Sequence, residues 1–233
     1  MFQDMYAAAP ELEPAGKVLE TMTADIVDLE LTSTLNKELG MQDVFVHGDL
    51  WSANLIWTSA GTGLRLSKIV DYQVTHFGCA AEDLTRLFIS TMSGKDRREN
   101  WEPLLEEFYK YMQKYCLKEL PFSLDQLKES YRRMFPIAGV LLLPVFDMVA
   151  NTFQLGLSKL SEDEKTQKQM VLSEKKLALF EDILFFARRN QYVRQDKNNS
   201  ASHQTEQWPF IFILSLGIGM ISVSYYLLRF LIN

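Results

Sequence analysis

The chain has 233 residues, 47% of them hydrophobic and 12% aromatic, with a formal net charge of −6. This length supports one large domain or two small ones around a sizeable core, and the composition excludes a disordered chain. No Lys/Arg-rich stripe interleaved with aromatics is present, so nucleic acid is not an expected partner.

The first residues, MFQDMYAAAPELEPAG, contain acids and prolines and lack a basic stretch followed by an apolar core, so no secretory signal is expected. Met1 to Gly40 reads as a leader followed by helix. Leu12, Val18, Leu19, Met22, Ile26, Leu29, Leu35 and Leu39 recur roughly at helical spacing, and Pro14 and Gly16 limit the start. Ala15-Gly16-Lys17 is not a phosphate loop, because that pattern needs an earlier Gly and a Ser/Thr where Val18 stands.

Val44 to Asp71 carries the chemistry. An apolar run ends in His47-Gly48-Asp49, Asn54 follows five residues after Asp49, and a second apolar run, Leu66 to Val70, delivers Asp71. The runs predict two short buried strands, with Gly61 and Gly63 turning the chain between them. A hairpin-like pair of these strands would bring Asp49, Asn54 and Asp71 to one rim. Two carboxylates and an amide oxygen form a hard-oxygen set suited to Mg²⁺, which keeps several waters and takes phosphate oxygens as partners. Phosphoryl transfer needs those parts and a carboxylate that orients the attacking hydroxyl.

Beyond Asp71, Glu82 and Asp83 open a helix whose Leu84, Leu87, Phe88 and Thr91 share a face. Ser93 to Arg98 reads as a polar break, and a helix is expected from about Trp101 to Leu117. Ser123 with Gln126 and Ser161 with Glu164 form two capping boxes, each opening a helix. Ile137 to Phe146 is an apolar run about ten residues long containing Pro144, too short to span a bilayer and expected as core helix. Cys79 and Cys116 belong to no CxxC or Cys/His grouping and are expected as reduced core residues rather than a disulfide or zinc pair.

The organisation expected from this pass is a domain over residues 1–190, a polar linker over 191–207 and a transmembrane helix over 208–232. The last rests on 20 uncharged residues from Pro209 to Leu228, with Trp208, Tyr225 and Tyr226 near the boundaries and Arg229 at the end. Such a segment predicts a single-pass C-terminal anchor in a membrane, with the domain facing the cytosol. The fold class expected is mostly α with a small β hairpin, plus that helix.

Taken singly, His47, Asp49 and Asn54 are ordinary turn and cap residues. Together, His47-Gly48-Asp49-Leu50-Trp51, Asn54 at the fifth following position and the strand bearing Asp71 resemble the catalytic loop and metal-binding Asp of the protein-kinase-like fold. The branch they resemble is that of aminoglycoside phosphotransferases and choline kinases. Ile69-Val70-Asp71-Tyr72-Gln73 and Ala81-Glu82-Asp83-Leu84-Thr85-Arg86 extend the likeness. The spelling of the loop and the later GKDRREN segment are similar to the nematode CHK kinase-like subgroup, relatives of the insect ecdysteroid kinase-like proteins. The resemblance covers roughly Met1 to Tyr192.

The resemblance implies the C-lobe of the kinase-like fold and an ATP- and Mg²⁺-dependent phosphotransferase acting on the hydroxyl of a small, lipophilic substrate. Asp49 would be the base or orienting carboxylate, Asn54 and Asp71 would hold Mg²⁺ and through it the nucleotide, His47 would brace the loop, and Asp83 would cap its helix or fix the loop. Trp51, Trp57 and Phe77 are candidates for a substrate pocket, with core packing as the alternative. Kinases of this branch place a nucleotide-binding N-lobe before the loop, whereas 46 helix-patterned residues precede His47 here. The expectation is therefore a C-lobe whose activity is impaired unless a partner chain or a longer product supplies the N-lobe. The alternative is a non-catalytic, membrane-tethered binding module or a truncated gene product.

Overall fold

A computed structural model describes residues 2–28, 30–156 and 161–201. The chain divides into two units, 1–193 and 194–233, and the core and the candidate site lie in the first. The described part is mostly helical with a small amount of antiparallel β structure. In chain order the elements are α1 (Phe2–Ala8), α2 (Glu13–Ile26), α3 (Leu31–Leu39), β1 (Val44–Val46), β2 (Leu55–Ala60), β3 (Gly63–Ile69), β4 (His76–Gly78), α4 (Ala80–Thr91), α5 (Gly94–Tyr115), α6 (Leu124–Gly156) and α7 (Glu162–Ala201).

The N-terminal periodicity folds as read at most positions: Leu12, Leu19, Met22, Ile26 and Leu35 are buried, while Val18 is exposed. Leu29 lies outside the described residues. Pro14 does not delay α2, because its missing N–H costs nothing in the first helical turn. Both capping boxes form. The backbone N–H of Ser123 donates to Gln126 Oε1 at 2.7 Å and that of Gln126 to Ser123 Oγ at 3.2 Å. Ser161 and Glu164 make the matching pair at 2.9 and 3.3 Å.

Tyr131, Phe135 and Phe180, on α6 and α7, are fully buried, and each such side chain contributes roughly 1.5–3 kcal/mol. The helices approach closely at Gly139, where an added Cβ would lie 2.5 Å from Ile183. Lys128 bridges Glu102 and Glu106 at 3.0 and 2.6 Å and so ties α6 to α5, and Arg133 reaches Glu38 on α3 at 2.9 Å.

Five expectations are corrected. The two apolar runs do not pair with each other. β1 pairs antiparallel with β4 (Val44↔Gly78, Val46↔His76), and the hairpin is β2 with β3 (Leu55↔Ile69, Ala60↔Gly63). Nor are the hairpin strands buried: Trp57 is 50% and Leu64 71% exposed, because no described element covers them. Ser93 to Arg98 is not a break. Ser93 Oγ accepts the Asp96 N–H at 3.0 Å, and Arg97 and Arg98 are drawn onto Asp182 of α7, so α5 begins seven residues before Trp101. Cys79 is buried as expected, but Cys116, at the end of α5, is exposed; both are free thiols.

The fifth correction concerns the expected transmembrane helix and the single-pass anchor with its cytosol-facing domain. No helix among the described residues is long and apolar enough to cross a membrane. The apolar run of α6 covers about 15 Å, half of the roughly 30 Å hydrocarbon thickness, between Arg133 and Asp147. α7 carries charges along its length and extends to Ala201, so residues 191–201 of the expected linker are helical. The stretch 208–232 lies outside the described residues, and the fold is stated without a span.

The α5–α7 contact rests on a buried ion pair. Arg97 Nε donates to Asp182 Oδ2 at 2.9 Å, their side chains are 3% and 9% exposed, and Arg98 Nε holds the other carboxylate oxygen at 2.6 Å. Removing one partner strands a desolvated charge, which typically costs about 3–5 kcal/mol. Asp182→Ala is therefore expected to destabilise the protein by about that amount in urea unfolding, whereas Glu181→Ala, whose side chain is half exposed, shifts the curve by under about 1 kcal/mol.

Candidate functional site

The site begins at the end of β1, where the chain must turn sharply after Val46. Gly48 makes the turn with φ of 81°, and a Cβ there would lie 2.6 Å from the Val74 carbonyl oxygen, so both conformation and space demand glycine. The turn leaves two backbone N–H groups pointing inward. Asp83, in the first helical turns of α4, accepts both: Oδ2 takes the His47 N–H at 2.7 Å and Oδ1 the Gly48 N–H at 3.0 Å. One carboxylate thus fixes the loop to the start of α4.

The His47 ring completes the brace. The Val70 carbonyl can only accept, so Nε2 carries the proton and donates to it at 2.9 Å. Nδ1 then accepts the Asp49 N–H at 3.3 Å. Both ring nitrogens are engaged with backbone, which leaves neither for proton abstraction. Tyr72 packs against the ring with centroids 4.7 Å apart.

Asp49 sits just beyond, with its carboxylate held on both sides. Arg86 Nη1 donates to Oδ1 at 2.8 Å, and Asn54 Nδ2 donates to Oδ2 at 3.2 Å and to the Asp49 carbonyl at 2.8 Å. Because Nδ2 is committed, Oδ1 is the atom Asn54 offers to a cation. The Val70 N–H donates to the Asn54 carbonyl at 3.0 Å. Val70 is therefore gripped by both His47 and Asn54, and Asp71 follows it directly. Asp71 has φ of 67°, the one non-glycine positive φ among the described residues. Aspartate tolerates this conformation better than most residues, at a cost of about 1–3 kcal/mol, and such strain clusters at functional positions.

The structure thus gathers His47, Asp49, Asn54, Asp71 and Asp83 around the open end of the β2–β3 hairpin. Among the described residues no group of three or more His, Cys, Asp or Glu side chains is placed to hold a metal ion. Asn54 and Asp71 are the residues here that could hold a hard cation, since an amide oxygen and a carboxylate are donors that such an ion takes while retaining waters. Arg86 is the residue that sequence reasoning missed. Its only signal is its place three residues after Asp83 on α4, which puts it on the same helical face. Beside the loop, Trp51, Ser52, Ser90, Leu142, Val145 and Phe146 line a small cleft of about 60 Å³. Trp51 alone of the three aromatic candidates lines it; Trp57 and Phe77 are exposed.

On the flank of β4, His76 Nδ1 donates to the Val74 carbonyl at 3.0 Å and Nε2 lies 3.2 Å from Glu82 Oε2. The bond to Val74 is the main force raising the imidazole above its ordinary 6.5; burial opposes it and the Glu82 charge adds to it. Stability from a raised imidazole is fully present below the unfolded value and is lost as pH rises through the folded value. An NMR titration is expected to place the His76 midpoint above 6.5, and Glu82→Gln to lower it only in part, since the Val74 bond remains. For the loop brace, Asp83→Ala leaves two buried N–H groups unpaired and is expected to destabilise the protein by about 2–4 kcal/mol in denaturant unfolding.

Comparison with known proteins places these features in a family. The family model described as "Uncharacterized oxidoreductase dhs-27", DUF1679, matches residues 2–191. Among curated proteins, the chain is 31% identical over 144 residues to the Caenorhabditis elegans protein of that name, covering 58% of this chain and 18% of the relative. It is 26% identical over 175 residues to the C. elegans "Uncharacterized kinase-like protein D1044.1", covering 73% of this chain and 46% of the relative. The chain therefore spans less than half the length of either relative. No solved structure matches. The match over residues 2–191, which includes the whole braced loop, identifies this chain as a member of the DUF1679 family.

Proposed function

We propose that this chain carries the acceptor-side half of an ATP- and Mg²⁺-dependent phosphotransferase that acts on the hydroxyl of a small apolar molecule. The observation that supports it most is the braced assembly at the hairpin end: Asp49 held by Arg86 and Asn54, with Asp71 delivered beside them through Val70. The relation to a kinase-like protein agrees with it.

In this reading Asp49 orients the substrate hydroxyl. Each of its oxygens already accepts one hydrogen bond and keeps a lone pair for another. Arg86 and Asn54 prevent the carboxylate from rotating away, which is the positioning that phosphoryl transfer requires. Asn54 Oδ1 and the Asp71 carboxylate would hold Mg²⁺, which when bound neutralises charge on the phosphate oxygens. His47 keeps the loop in register, and Asp83 anchors it. The cleft beside Trp51, with Leu142, Val145 and Phe146 on its far wall, favours an apolar acceptor. In this reading the nucleotide is covered, and its phosphates are paired, by groups outside the described residues.

The oxidoreductase name of the other relative has less support here. That match covers 18% of the named protein, and the described residues form two antiparallel two-stranded sheets, with no parallel sheet on which a dinucleotide fold could be built.

Isothermal titration of the full chain with ATP at millimolar Mg²⁺ is expected to show weak binding that is lost without Mg²⁺ and lost in Asp71→Ala. If phosphate transfer to a hydroxyl acceptor is reconstituted with a nucleotide-binding lobe added in trans, Asp49→Asn is expected to slow it about 10²–10⁴-fold while nucleotide binding persists. No Mg²⁺-dependent nucleotide binding at millimolar ATP, or full transfer by Asp49→Asn, would contradict the reading.

A further inference from the structure

The β2–β3 hairpin has two outer edges, and among the described residues no other strand pairs with either of them. Its register sorts the side chains onto two faces. Trp57 stands opposite Leu66 and Ser59 opposite Leu64, and cross-strand partners share a face. Trp57, Leu64 and Leu66 therefore form one apolar surface, and they are 50%, 71% and 41% exposed. Thr58 opposite Arg65 and Ile56 opposite Lys68 occupy the other face. Arg65 and Lys68 are three apart and would fall on opposite faces of a regular strand. The register shift between Ile56 and Trp57 passes over Ser67 and brings both cations to one side.

β3 thus presents an unpaired backbone edge with leucines on one face and two cations on the other. Neither Arg65 nor Lys68 has an ion-pair or hydrogen-bond partner for its side chain among the described residues. β2 and β3 contain no acid, so these cations form a local basic site on a chain whose net charge is −6.

A two-stranded ribbon is marginal in water, and a third strand with an apolar face stabilises it. A free edge takes an extended segment through main-chain hydrogen bonds, while alternate side chains set the specificity. A second copy of β3 is a poor third strand. Paired so that the leucines share a face, it sets cation beside cation. A segment with acids at alternate positions instead sets carboxylates beside Arg65 and Lys68, and its apolar residues lie beside Leu64 and Leu66.

We infer that the outer edge of β3 receives an extended segment of a partner protein in which apolar and acidic residues alternate, added as a third strand with its carboxylates against Arg65 and Lys68. This surface uses none of the residues assigned to phosphotransfer and does not depend on that reading.

The test uses the full chain and blocked peptides: TETVEVT, its scrambled form TEEVVTT, its lysine counterpart TKTVKVT, and TETVEVT N-methylated at alternate positions in both phases. TETVEVT is expected to shift the backbone amide NMR signals of Leu64 to Lys68, to slow their hydrogen exchange and to bind less tightly as salt rises. The scrambled and lysine peptides should bind more weakly, as should the N-methylated phase whose blocked amides face β3. Arg65→Ala with Lys68→Ala is expected to weaken TETVEVT about two- to thirtyfold, the range that two exposed ion pairs supply. The thermal midpoint should stay in place, because neither side chain has a partner to lose. Arg65→Glu with Lys68→Glu should reverse the preference in favour of TKTVKVT. The inference is overturned by any of five results: no binding of TETVEVT at millimolar peptide, equal binding of the scrambled form, equal binding of both N-methylated forms, signal shifts confined to residues away from β3, or β3 signals that move on dilution of the chain alone, which would make a second copy the occupant.

Discussion

The structure turns on one carboxylate. Asp83 accepts the N–H groups of two successive residues, His47 and Gly48, and so converts a sharp turn after a three-residue strand into a fixed loop. Without it the turn would bury two unpaired donors. With it, the His47 ring has a defined direction from which to hold Val70, and Val70 brings Asp71 to the rim. The acceptor also stands near the N-terminal end of α4, where the helix dipole favours its negative charge. Loop, hairpin end and helix start are thereby one rigid junction, and α4 in turn packs against α6.

Much of this was legible in the chain. The capping boxes at Ser123 and Ser161 are local and form as written, because their partners lie three residues away. The loop residues were recognisable because their spacing is local too, and the likeness to the kinase-like branch came from the same few positions. What was not legible was set by distant partners. Ser93 to Arg98 looks like a polar loop until Asp182, more than eighty residues away, supplies the reason for Arg97 to be buried in a helix. The strand pairing was misread because β4 is only three residues long and its Phe77 is exposed, so it has no hydrophobic alternation to announce it. Arg86 was overlooked for the opposite reason: an arginine on an amphipathic helix is ordinary until Asp49 is placed opposite it.

The two relatives share with this chain only part of their length, 18% of one and 46% of the other. Within this chain, α3, α4 and α5 pack on α6 around a core to which α2 and α7 also contribute. The charges that tie its helices together, Lys128 to Glu102, Arg133 to Glu38 and Arg97 to Asp182, lie away from the junction around Asp83.

The β2–β3 hairpin has a further consequence. It is an isolated two-stranded ribbon with both faces exposed, and such ribbons are only marginally stable in water. Yet Asn54 immediately precedes its first strand and Asp71 closely follows its second, and the Val70 N–H bond to the Asn54 carbonyl closes the ribbon at that end. Under the proposed function, a ligand held by both residues would reinforce that closure, and part of its binding free energy would appear as ordering of β2 and β3. Occupancy at the rim and the shape of the exposed Trp57 and Leu64 surface would then be two readings of one equilibrium.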